Sequence, residues 1–256
     1  MELNERVAIV TGGAGGLGSA TCRHLAGVGM KVVVFDRAQE AADQVAADLG
    51  AGAVAVAGDT TVDADVQAAV AAAQELGQLS LVVNVAGGGV HAGRTVDRHG
   101  APHPLDAFTT TMDMNATGTF NVTRLACSAM ATNEPNDDGE RGVVVNTASI
   151  AGIEGQTGQV AYGAAKAAIL GMTLPMARDL APLGIRVCAI APGTMGTPLM
   201  LGALEHLKQD PSEGIVFPER MGHPEEFALL VECIVRNPYL NGENIRLDGA
   251  LRFTAK

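Results

Sequence analysis

Residues 7–18 read VAIVTGGAGGLG, an apolar run followed at once by a glycine-rich turn. The apolar run is typical of a buried strand, and the residues after the turn are typical of a helix. The turn fits the pattern TGxxxGxG and also the pattern GxGxxG. In both patterns the glycines allow a close approach of the backbone to a pyrophosphate, and the next helix points its N–H groups at the phosphates. The stretch therefore predicts a dinucleotide-binding turn, whose contact residues are Gly12, Gly15, Gly16, Leu17 and Gly18.

The alternation of strand and helix continues along the chain. Continuously apolar runs predict strands at residues 7–10, 31–35, 53–57, 81–84, 143–147, 185–190 and 244–247. Helical stretches separate them at residues 18–27, 40–49, 63–76, 108–131, 162–181 and 224–235. Continuously apolar runs are expected of parallel strands that are covered on both faces. We therefore predict an α/β Rossmann fold, a doubly wound seven-stranded parallel sheet with helices on both faces, in a single domain of residues 1–256.

The composition of the 256 residues excludes several classes of protein. With 47% hydrophobic and 18% charged residues, the chain is neither disordered nor fibrous. A net charge of −11 without any basic block argues against nucleic-acid and anionic-lipid partners. We expect no stretch apolar enough to span a bilayer and no secretory signal, and hence a soluble cytoplasmic protein.

The cysteines and histidines do not predict a bound metal. The four cysteines, Cys22, Cys127, Cys188 and Cys233, lie far apart and form no CxxC motif, and the six histidines form no HExxH motif. We therefore expect buried, unpaired thiols in a reducing compartment and no metal site.

An acidic residue, Asp36, ends the second predicted strand. A carboxylate at this position accepts hydrogen bonds from the adenosine ribose hydroxyls and repels a 2′-phosphate. Asp36 therefore predicts NAD rather than NADP as cofactor. Arg37 beside it could pair with a phosphate, but we interpret it as a solvated surface charge.

Ser149, Tyr162 and Lys166 form a candidate catalytic group. Tyr162 and Lys166 lie four residues apart on a predicted helix and so share one face. A free tyrosine has a pKa of about 10, and we expect the Lys166 ammonium and a positive nicotinamide ring to lower that pKa. Tyr162 could then exchange a proton with a substrate hydroxyl or carbonyl, while Ser149 binds the same oxygen.

With these motifs in place, the chain resembles the short-chain dehydrogenases/reductases over essentially its whole length. The matching positions are TGGAGGLG at residues 11–18, Asp36, Asp59, NVAG at residues 84–87, Asn115, Ser149, Tyr162, Lys166, and Pro192-Gly193 with Thr197. One departure is Val85, which stands where the family carries a second asparagine. This removes a hydrogen bond and should leave cofactor binding intact.

The resemblance implies further roles and a homotetramer. Asn115 would anchor a water that links Lys166 to solvent as a proton relay. The implied cofactor contacts are Asp59 and Thr60 at the adenine, Val85, Ala86 and Gly87 at the adenosine ribose, Tyr162 and Lys166 at the nicotinamide ribose, and Pro192, Gly193, Met195 and Thr197 beside the nicotinamide.

Three stretches carry a narrower resemblance, to the type 2 3-hydroxyacyl-CoA dehydrogenases within the family. They are residues 133–187, residues 217–253 and the insertion between Gly89 and Phe108, and they include loop residues that the fold does not dictate. The implied reaction is reversible NAD-linked oxidation of (S)-3-hydroxyacyl-CoA, with Ser149, Gln159 and Tyr162 at the substrate. The alternatives are an NADPH-dependent 3-oxoacyl-acyl-carrier-protein reductase, which Asp36 argues against, a hydroxysteroid dehydrogenase, and a non-catalytic scaffold.

Overall fold

Seven parallel strands form one sheet at the centre of the structure, a computed structural model that describes residues 1–89, 92–198, 200–202 and 212–255. The strands are β1 (Val7–Thr11), β2 (Lys31–Asp36), β3 (Ala53–Ala57), β4 (Leu79–Asn84), β5 (Gly142–Thr147), β6 (Ile185–Pro192) and β7 (Asn244–Leu247). Their order across the sheet is β3-β2-β1-β4-β5-β6-β7, and each neighbouring pair is parallel. The predicted sheet is confirmed. Residues 90–91, 199, 203–211 and 256 lie outside the described residues.

Helices cover both faces of the sheet, as predicted. One face carries α1 (Gly16–Gly27), α2 (Gln39–Leu49) and α7 (Pro224–Arg236). The other face carries α3 (Asp63–Leu76), α5 (Gly118–Met130) and α6 (Val160–Leu180), and α4 (Leu105–Met112) packs against α6.

The strand residues alternate between two buried layers. Ala8 and Val10 belong to the core under α1, α2 and α7, whereas Val7 and Ile9 belong to the core under α3, α5 and α6. Successive side chains of a strand point to opposite faces, so both faces must be apolar when both are covered. This explains why the strands read as continuous apolar runs.

The helix predicted over residues 108–131 is interrupted. The structure has α4, then a π-helical turn at Asp113–Thr117, then α5. A π turn inserts one residue into a helix and is frequent at functional sites. The interruption places Asn115 within the π turn.

One helix corrects the expectation about membrane-spanning stretches. Among the described residues, Val160–Leu183 is long and apolar enough to cross a membrane by length and composition alone. This segment is α6 with the short 3₁₀ turn after it, and it packs against β6 and α4. A core helix passes the same test, so the finding is weak evidence for a membrane span.

The cysteines are free, and three of them are buried as expected. Cys22, Cys127 and Cys188 lie inside the protein, whereas Cys233 on α7 is exposed. The expectation of four buried thiols is therefore wrong for Cys233, which lies on the solvent side of the amphipathic helix α7.

Candidate active site

A cavity of about 720 Å³ opens at the carboxyl ends of the strands. It lies where β1 is flanked by β2 on one side and β4 on the other, the switch point at which doubly wound folds bind ligands. All residues predicted to bind the cofactor line it, together with Ser149. They are Gly12, Gly15, Gly16, Leu17, Gly18, Asp36, Asp59, Thr60, Val85, Ala86, Gly87, Tyr162, Lys166, Pro192, Gly193, Met195 and Thr197.

The glycine-rich turn forms one wall, and its shape requires glycine. Gly12 has a φ of +62°, and a Cβ there would lie 2.9 Å from the backbone nitrogen of Ala86. A Cβ at Gly18 would overlap the carbonyl oxygen of Gly12. The turn is therefore closed on itself and on the β4 end, which leaves the amino end of α1 facing the cavity.

The hydroxyl of Thr11 fixes the chain that follows β4. Its Oγ1 accepts hydrogen bonds from the backbone N–H groups of Val85 and Ala86, both at 3.0 Å. Thr11 thus joins the carboxyl ends of two neighbouring strands under the cavity. We did not predict this role from the sequence, although the threonine directly before Gly12 was the available signal.

At the end of β2, the carboxylate of Asp36 is fixed by backbone N–H groups. Asp36 accepts hydrogen bonds from the N–H groups of Ala14 at 3.0 Å and Ala38 at 3.1 Å. The first of these ties the acid to the glycine-rich turn. Its placement is the one expected of a group that meets the adenosine ribose.

Arg37 and Asp59 face each other beside this acid. The Arg37 Nη1 lies 3.9 Å from the Asp59 Oδ2, and 69% of the Arg37 side chain is exposed. This agrees with the interpretation of Arg37 as a surface charge. Burial opposes ionisation of Asp59, but hydrogen bonds from the N–H and hydroxyl of Thr61, and the Arg37 charge, outweigh it and lower the pKa of Asp59.

Ser149, Tyr162 and Lys166 meet at the inner end of the cavity. Ser149 precedes a 3₁₀ turn (Ile150–Gly152), and its Oγ accepts a hydrogen bond from the Ala151 N–H at 3.1 Å. Tyr162 and Lys166 share one face of α6, with the Lys166 Nζ 5.7 Å from the centre of the Tyr162 ring. The predicted group is thus assembled in space.

The pKa expectation for Tyr162 is wrong for the protein without a cofactor. The protein around its hydroxyl desolvates it and raises its pKa above the ordinary value, although a hydrogen bond with Ser149 acts in the opposite direction. Burial also lowers the pKa of Lys166, to about 8, and its Nζ donates a hydrogen bond to the Thr147 carbonyl oxygen at 2.8 Å. Activation of Tyr162 therefore needs a further positive charge.

Asn115 binds backbone in the present arrangement. Its Oδ1 accepts from the Gly88 N–H at 3.1 Å, and its Nδ2 donates to the carbonyl oxygens of Gly88 and Thr111, both at 2.8 Å. A Cβ at Gly87 would overlap the Asn115 Oδ1 and lie 3.3 Å from the Lys166 Nζ. Asn115 therefore pins the segment beside Lys166, and its role as a water anchor stays a prediction.

Gln159 lies outside the cavity. It lines a separate groove of about 630 Å³ with Arg94 and Gln156. Its Oε1 accepts a hydrogen bond from the Gln156 N–H at 3.1 Å. Gln159 sits at the start of α6, and its contact with the substrate stays a prediction.

The cavity fits a nicotinamide dinucleotide. Besides the glycine cradle and Asp36, Thr147 lines the cavity, and its hydroxyl is buried without a hydrogen-bond partner. Buried hydroxyls rarely lack a partner, so such a group is expected where a polar ligand binds. Thr147 was not predicted from the sequence.

Comparisons with known proteins agree with this geometry. The short chain dehydrogenase family model matches residues 6–207. Human 3-hydroxyacyl-CoA dehydrogenase type-2 is 48% identical over 248 residues, which are 96% of this chain and 95% of that protein. The crystal structure of 3-hydroxyacyl-CoA dehydrogenase type-2 from Mycobacterium avium, 48% identical, matches with a TM-score of 0.95 over 100% of both chains.

A more distant structure was determined with a cofactor. It is a 3-ketoacyl-(acyl-carrier-protein) reductase from Brucella melitensis complexed with NADH, 27% identical, with a TM-score of 0.84 over 96% of this chain and 98% of that one. Sequence, cavity and comparisons lead to the same conclusion: the chain belongs to the short-chain dehydrogenase family.

Proposed function

We propose that the protein is an NAD-dependent dehydrogenase that reversibly oxidises (S)-3-hydroxyacyl-CoA to 3-oxoacyl-CoA. The observation that carries this proposal is its 48% identity, over nearly all of both chains, to an enzyme named for that substrate class. The grouping of Ser149, Tyr162 and Lys166 in one cavity supports catalysis and argues against a scaffold role.

The chain's own residues supply binding and proton transfer. Bound NAD supplies hydride acceptance in the oxidation and hydride donation in the reverse reaction. Ser149 holds the substrate oxygen by a hydrogen bond, and Tyr162 takes the proton from that oxygen at its Oη. Lys166 binds the nicotinamide ribose and adds positive charge near the Tyr162 ring.

NAD is proposed as the cofactor on the strength of Asp36. Its carboxylate is fixed by two backbone N–H groups, so it cannot easily turn away from a 2′-phosphate. Arg37 is the residue that would favour NADP, and its guanidinium faces Asp59 instead.

A carrier-protein reductase is the second candidate. It is supported by the likeness to the Brucella melitensis reductase, whose structure contains NADH. Both candidates reduce a 3-oxoacyl thioester at the same carbon, so they differ in the carrier that is recognised. Arg94, which lines the groove of Gln159, is a candidate for a phosphate of CoA.

We further propose a homotetramer in the cytoplasm, without nucleic-acid or membrane partners. Phe120 on α5 and Val160 and Leu174 on α6 expose 48%, 43% and 45% of their surface. Large apolar side chains exposed on helices of one face of the sheet favour an interface. Light scattering at the mass of one chain would contradict the tetramer.

The first test is reduction of acetoacetyl-CoA, followed by loss of NADH or NADPH absorbance. We expect turnover with NADH, and its loss in Tyr162→Phe. The matched control is Tyr239→Phe, because Tyr239 is the other tyrosine and is 98% exposed. Turnover with NADPH alone, or only with the acyl-carrier-protein thioester, would favour the reductase. Turnover in Tyr162→Phe equal to wild type would refute the mechanism.

A further inference from the structure

We propose that Arg246 is a positioning residue that fastens the carboxyl-terminal segment, residues 248–255, onto the turn after Ser149 and so sets the substrate side of the active site. The inference deepens the proposed function and rests on it for its kinetic part. Arg246 lies on β7 and does not line the cofactor cavity. Its effect must therefore pass through its partners.

Arg246 joins three points of the chain through one guanidinium. Its Nη2 donates to the Glu154 Oε1 at 2.7 Å and to the Leu251 carbonyl oxygen at 2.9 Å. Its Nε donates to the Asp248 Oδ2 at 2.6 Å. A planar guanidinium can serve such partners at once in a fixed geometry, which a lysine ammonium cannot reproduce.

Glu154 carries this connection to the catalytic serine. Its N–H donates to the carbonyl oxygen of Ile150, the residue after Ser149, at 2.9 Å. Its Oε1 also accepts from the Phe253 N–H at 3.2 Å. The arginine hydrogen bond holds the pKa of Glu154 below its ordinary value, so the acid stays charged at neutral pH.

A further hydrogen bond and an apolar cluster connect the same two segments. The Thr157 hydroxyl donates to the Ala255 carbonyl oxygen at 2.8 Å. Ile150 and Leu251 are buried together, and Phe253 packs against them. The turn after Ser149 is therefore held against the carboxyl-terminal segment by polar and apolar contacts.

Asp248 carries the connection to the other wall. A Cβ at Gly193 would lie 2.8 Å from the Asp248 Cβ, and the Gly193 N–H donates to the Leu247 carbonyl oxygen at 2.9 Å. Gly193 lines the cofactor cavity on the side predicted for the nicotinamide. Arg246 thus links the serine turn to the loop after β6, the two segments between which a substrate must fit.

The segment that Arg246 holds contains a costly backbone conformation. Ala250 has a φ of +63°, a left-handed conformation that non-glycine residues rarely adopt. Its N–H donates to the Asp248 Oδ1 at 3.1 Å, and Asp248 is itself held by Arg246. Such conformations persist only where the surroundings enforce them. The Arg252 Nη1 also donates to the Asp248 Oδ2 at 3.1 Å, but its side chain is 59% exposed. Loosening Arg246 should therefore weaken this turn.

The test uses Arg246→Lys, which keeps a hydrogen-bond donor, and Glu154→Gln, which keeps a hydrogen-bond acceptor. Both changes are small and so favour folding. We expect kcat/KM for acetoacetyl-CoA to fall roughly 10- to 100-fold, the size expected of a small misplacement near reacting groups. The KM for acetoacetyl-CoA should rise while the dissociation constant of NADH stays at the wild-type value. Backbone hydrogen exchange should accelerate in residues 150–157 and 248–255 and stay unchanged elsewhere.

The matched control is Arg236→Lys, which weakens an arginine–carboxylate pair with Glu232 on α7. It should leave the kinetics and the exchange at wild-type values. Three results would overturn the inference. They are wild-type kinetics in both test variants, an even acceleration of hydrogen exchange over the whole chain, and a loss of NADH binding that parallels the loss of activity. If the wild-type protein does not turn over acetoacetyl-CoA, the proposed substrate fails, and the exchange pattern alone decides on Arg246.

Discussion

Replacing Asp36 with asparagine should turn the cofactor preference from NAD toward NADP. The carboxylate is half-buried in the cofactor cavity and is held there by the N–H groups of Ala14 and Ala38. Two unit charges about 5 Å apart, at an effective dielectric constant of about 20, repel by about 3 kcal/mol. Partial exposure of the acid reduces this figure, so we expect a cost of about 1.4–2.8 kcal/mol, or a roughly 10- to 100-fold discrimination against the 2′-phosphate.

The assay is a fluorescence titration of NADH and NADPH binding, which does not depend on the substrate. Because the chain has no tryptophan, the cofactor fluorescence can be followed without that background. In Asp36→Asn, the ratio of the two dissociation constants should move toward NADPH by about 10- to 100-fold. NADH binding should weaken less, because the amide oxygen still accepts a hydrogen bond.

Arg37 provides the internal control. Its guanidinium faces Asp59 across 3.9 Å and is free to turn toward a phosphate. The double variant Asp36→Asn, Arg37→Ala should therefore gain less NADPH affinity than Asp36→Asn alone. An unchanged ratio in Asp36→Asn, or equal gains for both cofactors, would refute the electrostatic reasoning.

Three further predictions follow from the geometry. In Gly18→Ala the new Cβ would overlap the Gly12 carbonyl oxygen, so we expect the free energy of unfolding to fall by about 1–3 kcal/mol. NADH should also raise the thermal midpoint of this variant less than that of the wild type, and wild-type midpoints would contradict this prediction. In a Tyr239→Phe variant, tyrosinate absorbance reports Tyr162 alone, which should ionise above the ordinary tyrosine pKa in the absence of cofactor. With NAD bound, Tyr162 should ionise at lower pH, and a titration that NAD leaves unchanged would argue against activation by the cofactor. Burial raises the pKa of the Cys22 thiol to about 12, so the unfolded chain loses this proton first, and the free energy of unfolding falls as pH rises above the ordinary thiol pKa. In urea unfolding at several pH values, Cys22→Ala should remove up to about 1.4 kcal/mol per pH unit of that fall. Equal pH slopes in the variant and the wild type would exclude the thiol as the cause.

Local sequence signals predicted most of the scaffold. Apolar runs and helical periodicity found the strands and helices, because both depend on neighbours within a few residues. The interruption at Asp113–Thr117 was missed, because one inserted residue barely changes an apolar pattern. The glycine turn and Asp36 were found because their residue types are required by backbone shape and charge, and both lie at strand ends.

The side-chain environments at the site could not be read in the same way. Helical spacing placed Gln159 one turn before Tyr162, yet Gln159 lines a groove separate from the cofactor cavity, because spacing does not say where a helix begins. The hydroxyls of Thr11 and Thr147 gave no distinctive pattern, and their roles depend on strands that meet only in the folded sheet.

The amino-acid sequence by itself determined the parallel sheet and the glycine-rich turn and named the candidate catalytic side chains, since periodicity, glycine and charge act locally. The tertiary structure decided the raised pKa of Tyr162, the backbone partners of Asn115 and the junction at Arg246. These properties arise from desolvation and from contacts between residues far apart in the chain. Both exist only once the helices have packed on the sheet.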